Sequence, residues 1–119
     1  MPYVDGFLIP IPKKNLAAYR RMAKQAGKVW KDLGALEYRE CAGDDLIDKK
    51  MGGMFPKMTK LKKNETVVFS WVVYKSKAHR NAVNKKIMKD PRIMRMMKQP
   101  MPFDDKRMAF GGFKVLVDM

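Results

Sequence analysis

His79 and Asp5 carry most of the reactive chemistry this chain offers, and neither belongs to a complete catalytic motif. His79 is the single histidine and Cys41 the single cysteine, too few ligands for a His/Cys zinc centre. His79 follows Ser76 by three residues, the spacing of a helix cap and its first turn. A helix N-terminus disfavours a positive imidazole, as do Lys75, Lys77 and Arg80 nearby. A neutral ring there serves as a base or a hydrogen-bond donor. The structural alternative is a ring that only bonds backbone.

Asp5 interrupts an apolar strand in which Tyr3, Phe7 and Ile9 share its side. A carboxylate among aromatics needs a partner. It is either a proton acceptor in a pocket or half of a structural pair with an arginine such as Arg39 or Arg107. Glu40, near the end of the second strand, is a further candidate. The functional reading is a pocket between sheet and helices, at the start of the second helix. His79 and Asp5 are its candidate catalytic groups, and Tyr3, Phe7, Trp71, Tyr74 and Glu40 its candidate ligand-binding residues. The structural reading makes the aromatics core.

No cofactor or metal is expected. Gly52-Gly53 and Gly111-Gly112 match neither a phosphate loop nor a dinucleotide fingerprint. Cys41 reads as an inert small hydrophobe, and methionines 94, 96, 97, 101 and 108 as adaptable packing. Enzyme and binding protein both stay open.

Charge suggests a second class of function. The net charge is +14, and residues 1–48 hold eight Lys/Arg against seven Asp/Glu, leaving +13 on residues 49–119. Lys49, Lys50, Lys57, Lys60, Lys62 and Lys63 lie in a stretch without acids, and Arg80, Lys85 and Lys86 follow on the second helix. This is the candidate polyanion surface, predicting weak, sequence-independent nucleic-acid binding. Lysine outnumbers arginine and few aromatics are interleaved, which argues against base readout.

The elements that must position these residues follow from periodicity. Tyr3 to Ile11 alternates as a first strand, ended by Pro10 and Pro12. Asn15 is placed to cap a helix whose apolar stripe runs Leu16, Tyr19, Met22, Ala23, Ala26, Val29, Trp30 and Leu33, with Gly34 just past its end. Ala35 to Ala42 reads as a second strand, and residues 43–64 as a long basic loop with a short helical turn. Thr66 to Tyr74 is the third strand. Ser76 caps a second helix from Lys77 to Lys89, with Ala78, Ala82, Val83 and Ile87 facing the sheet. Asp90-Pro91 breaks it and opens a helical turn to Met97. Lys106 to Val117 forms the last strand, interrupted at Gly111-Gly112 by a bulge or close backbone approach.

The order is β-α-β-β-α-β, the ferredoxin-like arrangement, in one α+β domain spanning residues 1–119. Right-handed crossovers put both helices on one face of a four-stranded antiparallel sheet. Yet strand three is apolar on both sides: Val67, Phe69, Trp71 and Val73 on one, Val68, Val72 and Tyr74 on the other. The second face therefore predicts a homodimer. No apolar run approaches the roughly 18 residues of a membrane span. The opening Met-Pro-Tyr-Val-Asp-Gly lacks signal-peptide character, so a cytoplasmic location is expected.

Several runs resemble a known family. They are Tyr3-Val4-Asp5-Gly6-Phe7, Glu65 to Trp71 with Val73-Tyr74, Ser76, His79-Arg80, Val83-Asn84, Lys86, Met88, Asp90-Pro91-Arg92, Met101 to Asp104, Lys106-Arg107-Met108 and Gly111-Gly112-Phe113. The chain resembles the uncharacterised bacterial family DUF1428 (YbaA-like), itself similar to the dimeric α+β barrel superfamily. That resemblance implies two ferredoxin-like sheets packed face to face. It implies no activity. By analogy with similar barrels, the expected function is small-molecule binding or cofactor-independent catalysis, such as oxygenation or isomerisation.

Overall fold

A computed structural model describes residues 1–47, 50 and 52–119. Its strands are β1 (Tyr3–Pro12), β2 (Glu37–Ala42), β3 (Glu65–Tyr74) and β4 (Ala109–Lys114), and its helices α1 (Leu16–Asp32), α2 (Phe55–Met58), α3 (Lys77–Ile87) and α4 (Pro91–Met97). The strands form one sheet in the order β2-β3-β1-β4, each neighbouring pair antiparallel. Among the described residues no helix is long and apolar enough to cross a membrane.

Strand parity decides what each face carries. Directly opposed residues of an antiparallel pair project to the same side. Tyr3, Asp5, Phe7, Ile9 and Ile11 therefore share a face with Val68, Ser70, Val72 and Tyr74, and with Tyr38 and Glu40 of β2. The helices α1, α3 and α4 cover this face. Val29, Val72, Tyr74, Val83, Ile87 and Ile93 form one buried cluster, and Ile9, Ile11, Tyr19, Ala23 and Val68 a second. The opposite face carries Val4, Leu8, Phe69, Trp71 and Phe113, with Phe69 46% and Phe113 58% exposed.

Local signals account for most boundaries. The stripe of α1 buries Tyr19, Ala23, Gly27 and Val29. Gly34 ends that helix at φ +120°, a backbone that favours glycine. Ser76 Oγ accepts the His79 N–H at 3.1 Å, the expected cap of α3. Asp90 accepts the Arg92 N–H at 2.8 Å and starts α4 beside Pro91.

Four expectations need correction. Asn15 stands at the cap position of α1 but makes no capping bond; its Nδ2 donates to Pro102 O at 2.8 Å and ties down the 100–103 turn. Ala78 and Ala82 are exposed, and the inward face of α3 is His79, Arg80, Val83, Asn84 and Ile87. Small alanines are weak burial signals, and the polar residues among them have partners inside. Strand β1 continues through Pro10 and Pro12, which pair with Val67 and Glu65. Beyond Leu8 it has no partner on the β4 side, so a missing N–H is tolerated there. Finally, β4 is short and carries no bulge: Gly111 and Gly112 stand in unbroken register opposite Gly6 and Asp5. The close-approach alternative holds, because a Cβ at Gly112 would collide with Arg80 and Tyr3.

Candidate functional site

Between the sheet and helices α1, α3 and α4 lies a cleft of about 540 Å³. Its walls are Phe7, Met22, Trp30, Ile87, Met88, Ile93, Met96, Met97, Met101 and Phe110. The side chains Asp5, Arg80 and Asn84 converge at one end, with the backbone of Gly111 and Gly112 beside them. An apolar cleft with a few convergent polar groups is the usual form of a small-molecule site.

The polar end is a connected network. Trp30 Nε1 donates to Tyr74 Oη at 3.1 Å, and Tyr74 Oη donates to Asn84 Oδ1 at 3.2 Å. Asn84 Nδ2 donates to Asp5 Oδ2 at 3.4 Å. Arg80 Nε stands 3.2 Å from Asp5 Oδ1, in ion-pair range, although it makes no hydrogen bond. Arg80 Nη2 donates to Tyr3 Oη at 3.2 Å, and the guanidinium carbon lies 4.9 Å from the centre of the Tyr3 ring. Burial pushes the Tyr74 phenol up to about 12; the Trp30 donor opposes the rise and the Asp5 carboxylate adds to it. Tyr74 thus stays a neutral donor at physiological pH.

The structure divides the residues singled out by sequence among several places. Asp5 and Phe7 line the cleft, while Tyr3 and Tyr74 support its polar end from behind. Asp5 pairs with Arg80, not with Arg39 or Arg107, which pair with Glu37 and Glu65. His79 is not among the lining residues. Its Nδ1 accepts the Lys75 N–H at 3.0 Å, its ring sits edge-on to Tyr74, and its Nε2 lies against Gly34. Trp71 is on the opposite face, where its Nε1 donates to Glu37 Oε1 at 3.1 Å.

Glu40 lines a separate groove of about 750 Å³ between α1 and β2. Tyr19 Oη donates to Glu40 Oε2 at 2.6 Å and lies 3.1 Å from Oε1. Burial raises the carboxyl above its ordinary pKa, against the hydrogen bonds from Tyr19 and Ser70. Burial also lifts the phenols of Tyr19 and Tyr38 above the usual tyrosine range, aided by the Glu40 charge.

Of the polyanion candidates, Lys50, Lys57, Lys60, Lys62, Lys63, Lys85 and Lys86 are exposed, and Lys49 lies outside the described residues. Arg80 is turned inward onto Asp5 and Tyr3, which removes it from that surface. Among the described residues no group of three or more His, Cys, Asp or Glu side chains is placed to hold a metal ion.

Sequence reasoning missed Arg80 as Asp5's partner, and it missed Asn84 and Trp30 altogether as site residues. The signal was present. Arg80 and Asn84 are four residues apart and share the stripe of Val83 and Ile87, so they are polar groups at inward positions.

A family model described as protein of unknown function, DUF1428, matches residues 2–105. The uncharacterized protein YbaA of Escherichia coli (strain K12) is 46% identical over 118 residues, covering 99% of each chain. YbaA of Shigella flexneri matches to the same extent. Among solved structures, that of Rv0793 from Mycobacterium tuberculosis aligns with a TM-score of 0.59 at 16% identity, over 99% of this chain and 98% of that one. A dimeric ferredoxin-like protein from an uncultured marine organism gives 0.58 at 12% identity, over 100% of both chains. At these identities the likeness speaks for the ferredoxin-like fold.

Proposed function

Because the chain belongs to the DUF1428 family, whose function is unknown, we propose a function from its own geometry. It is a homodimeric, cytoplasmic protein of the dimeric α+β barrel type, built on the βαββαβ order. It binds a small molecule with an apolar body and one polar head. The observation that carries this reading is the methionine-walled cleft with Asp5, Arg80 and Asn84 at one end. The thioether walls adapt to an irregular apolar body. The guanidinium and the Asn84 amide would hold an oxygen of the head group, and Asp5 is placed to accept its proton. That is the minimal equipment for cofactor-independent proton transfer.

Dimerisation rests on the uncovered face of the sheet. It bears a hollow of about 650 Å³ lined by Val4, Leu8, Phe69, Trp71 and Phe113 among others, with no charged side chain. A dimeric ferredoxin-like fold neighbour supports the same reading.

The cleft is tested by thermal-shift measurements with alkyl and aryl carboxylates set against the matched alcohols. A compound at a hundred times its dissociation constant stabilises by about 2.7 kcal/mol, which raises the midpoint of a chain this size by roughly 5–15 °C. Met22→Trp, which fills the cleft, and Asn84→Leu, which removes a polar group, should each abolish the shift. Shifts that persist in both variants, or no shift with any compound, would overturn the proposal.

A further inference from the structure

The groove between α1 and β2 shares no residue with the cleft, and it combines three features that point to one kind of ligand. The first is a flat, largely apolar floor. Tyr38 lies against α1 because residue 27 is glycine; a Cβ there would sit 2.8 Å from the Tyr38 ring. Ala23 and Val68 continue that surface.

The second is a rim of cations. Arg20, Lys24, Lys28 and Lys31 recur along α1 at three- and four-residue steps, and all four line the groove. Lys31 Nζ donates to Leu36 O at 2.8 Å. Arg20, Lys24 and Lys28 make no hydrogen bond or ion pair with any described residue. Like charges at this spacing repel by a few tenths of a kcal/mol per pair, and a bound anion relieves that repulsion. The one acid on the same rim, Asp32, is taken by Arg92 at 2.7 Å.

The third is Glu40, half-buried, with Tyr19 and Ser70 as donors. A carboxylate has about four acceptor sites, so it retains capacity for a donor brought by a ligand.

We infer that this groove is a second binding site, for a flat aromatic anion that carries a hydroxyl at the end opposite its charge. The anionic end rests on Lys24 and Lys28, the ring lies on Tyr38, and the hydroxyl donates to Glu40. The site is independent of the cleft, so either can fail without the other.

Three fluorescent probes separate the contributions: 6-hydroxy-2-naphthoate has both ends, 2-naphthoate lacks the donor, and 2-naphthol lacks the charge. The first should bind the full-length protein at least tenfold tighter than either of the others. Lys24→Glu with Lys28→Glu should weaken it at least tenfold, and Glu40→Gln should erase its advantage over 2-naphthoate. Circular dichroism checks that each variant is folded. The cleft variant Asn84→Leu, which touches no residue of the groove, should leave the affinity unchanged. Equal binding of the three probes would overturn the inference, as would insensitivity to the lysine reversals or loss of binding in Asn84→Leu. So would binding that appears only after removal of residues 115–119, where Leu116, Val117 and Met119 are exposed, because that segment of a second copy would then be what fills the groove.

Discussion

The Asp5 carboxylate stands 3.2 Å from the Arg80 guanidinium, with the two side chains only 14% and 22% exposed. A pair this shielded is costly to break from one side, because the remaining charge loses its partner without regaining water. Asp5→Asn should therefore destabilise the protein by about 3 kcal/mol. Adding Arg80→Leu should recover part of that loss. Urea unfolding of the two single variants and the double variant measures the coupling. A coupling below about 0.5 kcal/mol would mean that the pair is incidental.

On the open face, Phe69→Asp places a charge where a partner's sheet is proposed to pack. Light scattering at micromolar concentration should give twice the chain mass for the parent protein and the single chain mass for the variant. A parent protein that is monomeric at that concentration would refute the dimer.

Gly27 is a test of packing against propensity. Alanine is favoured over glycine within a helix by about 1 kcal/mol. Here the added methyl meets the Tyr38 ring at 2.8 and 2.9 Å, and overpacking costs typically 1–3 kcal/mol. Tyr38 is half-buried and packs beside Trp30, which limits its retreat, so the collision should win. Gly27→Ala should lower the urea midpoint, and a raised midpoint would show that the ring has room to move.

Two carboxylates should bend the pH profile in opposite directions. Glu65 takes both Arg107 nitrogens, at 2.7 and 2.9 Å, and the pair holds its pKa down at about 2. Its contribution is full above the ordinary value of 4.5 and is lost as pH falls towards 2. Glu65→Gln should flatten the acid limb of the stability curve. Glu40 is raised, so its folded form prefers the proton, and that advantage fades as pH rises through its folded pKa. Glu40→Gln should match the parent below pH 4.5 and gain on it towards neutrality. Parallel pH curves for parent and variant would contradict either assignment.

Much of this molecule is written in local pattern. Alternation in Thr66 to Tyr74 assigns Trp71 and Tyr74 to different faces, and the structure keeps them apart. The capping of α3 by Ser76 and the stop at Asp90-Pro91 follow from backbone chemistry within four residues. Asp5 was legible as an acid in need of a partner, but the partner was not. That choice depends on where α3 crosses β1 and β4, a relation between residues 5, 80 and 112 that no local period encodes. Arg80 was assigned to the charged surface because it is basic, and Asn84 drew no reading, although the helical phase of both is that of Val83 and Ile87. The groove at Glu40 stayed hidden because Tyr19 and Tyr38 look like ordinary core residues, and the cations of α1 are balanced by acids elsewhere in the first half of the chain.

The placement of β1 between β3 and β4 also sets an order of events during synthesis. Asp5 leaves the ribosome well before Arg80 of α3 and Gly112 of β4. At roughly 5–20 residues per second, β1 waits several seconds with Phe7, Ile9 and Ile11 uncovered. Nascent and prematurely terminated chains therefore contain the acid of the cleft but no cleft. The acid gains its neighbours only once α3 and β4 have been made, and until then the apolar side of β1 lacks its cover.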